Sequence, residues 1–92
     1  MILTLIEVNE LFKKLIGADI SREDADRWAY ARMQAYDIGE LEFSPSSDEN
    51  KLWSAVQYLY GIDSKVAPGE YMHSLDEIKD KFEKEWKLTD VS

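Results

Sequence analysis

The stretch Thr4-Leu-Ile-Glu-Val-Asn-Glu-Leu-Phe-Lys-Lys-Leu-Ile16 decides the fold. Leu5, Val8, Leu11, Phe12, Leu15 and Ile16 recur at three- and four-residue intervals, so they share one side of a helix. Gly17 follows as a natural stop. The same period returns three times downstream. Residues Arg22 to Tyr36 carry Ala25, Trp28, Ala29, Arg32, Met33 and Tyr36 on one face, behind a Ser21…Asp24 capping box. Residues Asp48 to Tyr60 carry Leu52, Trp53, Val56, Leu59 and Tyr60, with Ser54, Gln57 and Tyr58 on the opposite side. The preceding Pro45 and the acids Asp48 and Glu49 suit a helix start. Residues Leu75 to Leu88 carry Leu75, Ile78, Phe82 and Trp86 behind a Ser74…Glu77 box. Valine and threonine total six, without an alternating run, so no strand is expected. The pattern predicts an all-α, single-domain four-helix antiparallel bundle over residues 1–92, with Phe12, Trp28, Trp53 and Trp86 in its core.

Composition narrows the function. Hydrophobic residues at 45% and charged residues at 33% describe a globular chain. The absence of cysteine excludes disulfides and thiolate metal sites, and a single histidine excludes a multi-histidine centre. Acids outnumber bases 19 to 11, a net charge of −8, which argues against an ordinary nucleic-acid binder. The apolar start, Met1 to Ile6, is short and lacks a basic leader, and no run reaches membrane-spanning length. A cytoplasmic protein with no membrane partner is expected.

The negative charge is uneven. Residues 37–70 hold seven acids and two bases, a net −5. Within them the loop Gly61 to His73 carries Asp63, Pro68-Gly69, Glu70 and Tyr71. Tyrosines beside acids suit a protein-binding surface, the ring as anchor and the carboxylates as steering charges. An acidic surface that serves solubility alone is the simpler alternative. The candidate partner-binding residues are Asp48, Glu49, Tyr58, Asp63, Glu70 and Tyr71. Chemistry finds little footing. Asp48-Glu49 and Asp76-Glu77 are helix neighbours that do not face one another. Glu70-x-x-His73 is one isolated match to a bundle metal motif, and no glycine-rich phosphate loop exists. No enzyme activity, cofactor or metal is therefore expected. Arg32, inside an apolar stripe, needs a carboxylate or carbonyl partner.

Single residues along the chain carry a likeness. They are Leu11-Phe12, Arg32 with Tyr36, Ser44-Pro45, Leu52-Trp53-Ser54-Ala55, and Ile78…Phe82…Trp86. In this order the chain resembles the small helical immunity proteins that neutralise colicin D-type and related contact-dependent tRNA-cleaving toxins. Gln57 and Tyr60 depart from the pattern, standing where that family leads one to expect glutamate, and Asp63 is the nearest acidic counterpart. The resemblance implies an immunity protein that covers the basic active site of a nuclease toxin domain without touching nucleic acid, and a monomer when free is the default expectation. The alternative is an acidic interaction module, a phage-encoded inhibitor or regulatory adaptor, that binds a basic non-toxin protein.

Overall fold

The computed structural model describes residues 1–88, so residues 89–92 of the expected domain lie outside the described part. The elements run β1 (Ile2–Thr4), α1 (Leu5–Ile16), α2 (Arg22–Asp37), β2 (Glu42–Ser44), a 3-10 turn (Ser46–Asp48), α3 (Glu49–Leu59), β3 (Lys65–Ala67), β4 (Glu70–Tyr71) and α4 (Leu75–Glu85). The four helices fall where hydrophobic spacing puts them. Their starts follow capping chemistry. Thr4 Oγ1 accepts from the Glu7 amide at 3.2 Å, and Ser21 and Asp24 form the full reciprocal box. At α4 only half of the box closes. Ser74 Oγ accepts from the Glu77 amide at 3.1 Å, while the Glu77 carboxylate turns to His73 Nδ1.

The all-α expectation is corrected: the domain is mixed α/β, with four helices and two two-stranded sheets. Strands β1 and β2 pair in parallel, Leu3 opposite Phe43, and the Met1 ammonium donates to the Glu40 carbonyl at 3.0 Å. Strands β3 and β4 form an antiparallel hairpin around Pro68-Gly69, where Gly69 adopts φ +79. That left-handed conformation suits glycine after proline in a tight turn. Strands of two or three residues are too short for a period-two pattern to register. The β1–β2 pair also joins segments some forty residues apart, which no local window can see.

Phe12 lies at the centre of the core. Its ring stacks on Phe82 at 5.0 Å and on Trp86 at 5.1 Å. Leu3, Val8, Leu15, Ala25, Ala29, Leu52, Ala55, Val56, Leu59, Ile62 and Ile78 surround it. Of the three tryptophans expected inside, only Trp86 is fully buried, at 1% exposure. Trp28 and Trp53 pack against the core from its rim, because Ala25 and Ala29 bring α2 too close to leave room for larger rings. One polar side chain is buried with the apolar set. The Asn9 amide donates to the carbonyls of Leu5 and Trp86, each at 2.8 Å, and its Oδ1 accepts from the Leu88 amide at 2.8 Å. The Trp86 indole N–H donates to the Lys51 carbonyl at 3.0 Å. Trp86→Ala should therefore lower the unfolding free energy by about 3–5 kcal/mol, and Trp53→Ala by roughly half of that or less. Urea denaturation of both variants checks this, and equal losses would place Trp53 in the core instead of on its rim.

Candidate functional site

The six residues singled out from sequence do not gather into one surface. Asp48 and Glu49 open α3, whereas Asp63, Glu70 and Tyr71 follow its other end, about 15 Å away by helical rise. Tyr58 does not face outward. It is half-buried between Phe12 at 6.3 Å, Trp86 at 5.5 Å and His73 at 5.3 Å. Tyr71 stacks under the Arg22 guanidinium at 4.0 Å, and Arg22 donates to the His73 carbonyl at 2.7 Å. These contacts fasten the hairpin to α2. Arg32 finds its partners inside the protein: the Trp28 carbonyl at 3.1 Å, the Trp28 ring at 3.9 Å and Glu7 Oε2 at 3.8 Å. Burial lowers its pKa below the ordinary arginine value, while Glu7 opposes the shift. A guanidinium nonetheless stays charged.

The bases sort by their engagements. All three arginines are taken, Arg27 by Asp24 at 2.8 Å and the other two as above. Lys81 pairs with Glu85 at 3.1 Å and Lys84 with Asp80 at 2.9 Å. Among the described residues, Lys13, Lys14, Lys51, Lys65, Lys79 and Lys87 form no ion pair. Three of these six converge. Docking of α4 on α1 creates a groove of about 270 Å³ lined by Lys13, Ile16, Gly17, Lys79, Phe82, Glu83 and Lys87. Its rim holds three ammonium groups against one carboxylate, with Lys14 next in sequence to Lys13. Such a rim attracts an extended anion, and each lysine can donate to a phosphate oxygen. The neighbouring groove between α1 and α2 has the opposite balance, with Glu7, Glu10 and Asp24 against Lys14 and Arg32. Sequence reading passed over the lysine cluster because its members come from two segments whose own acids and bases nearly cancel. Among the described residues no helix is long and apolar enough to cross a membrane, and no three potential ligands group to hold a metal.

Residues 3–86 match the model of a family described as YxzC DNA-binding protein. A curated relative, named Uncharacterized protein YxzC, from Bacillus subtilis (strain 168), is 29% identical over 76 residues. The alignment covers 83% of this chain and 57% of the relative, so the chain spans little more than half of that protein's length. No solved structure matches the chain. The family match overturns the expectation of a toxin-immunity protein that meets a basic nuclease domain and no nucleic acid. It also lends nothing to the alternative of an acidic adaptor for a basic protein. The immunity likeness rested on residues such as Leu11, Phe12, Leu52, Phe82 and Trp86, which are core positions. Core positions report packing of four helices and carry no information on the partner.

Tyr58 offers a pH test of the packing around it. Burial raises its phenol pKa above the ordinary 10.0, Glu77 adds to the shift, and Arg22 opposes it. The folded chain thus holds the phenolic proton more tightly than the unfolded chain. That stabilisation is fully present below about pH 10 and is lost as pH rises through the folded value. The stability difference between the native protein and Tyr58→Phe should stay constant from about pH 7 to 9 and then move against the native protein. Chemical denaturation across this range checks it, and a difference that stays flat to about pH 11 would show an unburied phenol.

Proposed function

Because the chain belongs to the YxzC DNA-binding protein family, we propose that it binds DNA, with Lys13, Lys79 and Lys87 holding backbone phosphates in the groove between α1 and α4. The observation that carries this reading is the family match over residues 3–86, and the lysine groove supplies it with chemistry. An ammonium on a flexible stem follows a phosphate backbone without demanding fixed geometry. Phosphate contacts orient a protein on the duplex and carry no sequence information. The net charge of −8 acts against the rest of the surface approaching DNA, so the footprint is confined to the groove. Binding is consequently of the non-specific, salt-limited kind, with a Kd of about 10⁻⁴–10⁻⁶ M at physiological salt. The protein acts by binding, requires no catalytic group, and belongs in the cytoplasm with the DNA.

Fluorescence anisotropy with a labelled duplex, run across a salt series, tests the proposal. Three phosphate contacts predict that log K falls against log salt with a slope of about −2.7. The Lys13→Ala, Lys79→Ala, Lys87→Ala triple variant should bring that slope close to zero, while Lys51→Ala leaves it unchanged. No binding at low salt would remove the DNA reading. Binding that the triple variant retains in full would move it to another surface.

A further inference from the structure

The groove between α2 and α3 has a different character, and nothing in the DNA reading uses it. The two helices run antiparallel, since Tyr30 stacks with Tyr60 at 6.3 Å while Tyr36 stacks with Trp53 at 4.2 Å. Between these two aromatic rungs lies a groove of about 320 Å³, lined by Tyr30, Met33, Gln34, Asp37, Trp53 and Tyr60. Its geometry is held at both ends. The Asp26 carboxylate accepts from the Gly61 amide at 2.6 Å, which fixes the end of α3 against α2. The Gln34 amide donates to the Tyr30 hydroxyl at 3.0 Å, which orients that ring. Tyr30 and Tyr60 nevertheless remain 49% and 50% exposed.

The charge around these rings selects a ligand class. Elsewhere the protein supplies its own cations to its aromatic faces: Arg22 and Lys65 to Tyr71, Arg32 to Trp28, and Lys81 to Tyr58 and Trp86. Among the described residues, no Lys or Arg lies over Tyr30, Tyr36, Trp53 or Tyr60. Helices α1 and α4 carry lysines in their last turns, whereas α2 and α3 carry no base there. Because α2 and α3 are antiparallel, their negative ends flank the groove from both sides. Asp37 adds a full negative charge, with no ion pair among the described residues. Aromatic faces, a carboxylate and two helix C-termini all favour positive charge, and all repel a phosphate-bearing ligand. We propose that this groove is a binding site for a small organic ammonium ion, held over the faces of Tyr30, Trp53 and Tyr60 with Asp37 as its counter-charge. Apolar substituents on the nitrogen would rest on Met33 and the ring edges.

Choline is the probe, and its uncharged carbon isostere 3,3-dimethylbutan-1-ol is the control. Each is titrated into the full chain at constant ionic strength, with the Trp53 indole N–H followed by NMR and assigned with Trp53→Phe. Choline should shift that signal saturably, with a roughly millimolar Kd, and the isostere should bind at least about fivefold more weakly. Tyr60→Ala should weaken choline about two- to fivefold, and Asp37→Asn about fivefold. Both substitutions lie on exposed positions, and unchanged thermal midpoints show that they leave the fold intact. The site is overturned if the isostere binds as well as choline, if sodium chloride reproduces the shift, or if no saturable change occurs at Trp53. DNA affinity measured in parallel separates a failure here from a failure at the lysine groove.

Discussion

The buried carboxamide of Asn9 is the contact on which the arrangement turns. It bonds to the backbone of its own helix and to both Trp86 and Leu88, joining residues almost eighty positions apart. A buried polar side chain left without partners costs about 1–3 kcal/mol, so only one placement of the α4 end satisfies it. With that end fixed, Trp86 lies flat on Phe12 and its indole N–H reaches the Lys51 carbonyl in α3. Helices α1, α3 and α4 are thereby locked in one mutual orientation. The lysine groove follows, since Lys79 and Lys87 can approach Lys13 only with α4 seated on α1.

A second set of fastenings settles α2 and the loops. The β1–β2 pair ties the chain start to the segment before α3, and the Met1–Glu40 contact extends the tie. Arg22, at the start of α2, reaches across to the hairpin through Tyr71 and the His73 carbonyl. Asp26 then holds the Gly61 turn beside α2. Alanine at positions 25 and 29 lets α2 sit close to the core, which pushes its large rings, Trp28 and Tyr36, to the periphery. The aromatic groove is thus a consequence of close packing: rings excluded from the centre line up along its margin.

Charge illustrates how a whole-chain number misleads. A net −8 describes the far field and governs solubility and long-range repulsion. Contact with a phosphate is decided within about one Debye length, roughly 10 Å, where only neighbouring charges count. The carboxylates of this chain are spread over its loops and all four helices, several serving caps or ion pairs, as Asp24, Asp80 and Glu85 do. Asp24, for one, is held below its ordinary pKa chiefly by the Ser21 backbone amide, so it is a fixed part of a helix start. Of the lysines that form no ion pair, Lys13, Lys79 and Lys87 meet in one place.

The sequence by itself determined the four helices, with only α4 ending three residues before the expected Leu88, because amphipathic spacing and capping act within one or two turns of chain. It also marked Phe12, Leu52, Ile78, Phe82 and Trp86 as core, since apolar residues at that spacing have only one favourable side to face. The Pro68-Gly69 turn was legible as well, although the hairpin around it was not expected. The role of Asn9 could have been suspected from its place between Leu5 and Phe12 on the apolar face. The tertiary structure alone decided the rest: the β1–β2 pairing, the rim positions of Trp28 and Trp53, and the inward turn of Tyr58. It also decided both grooves, because each is lined by side chains from two different helices. Local spacing encodes which face of a helix is apolar. Which helix covers that face depends on the single packing that satisfies every buried group at once.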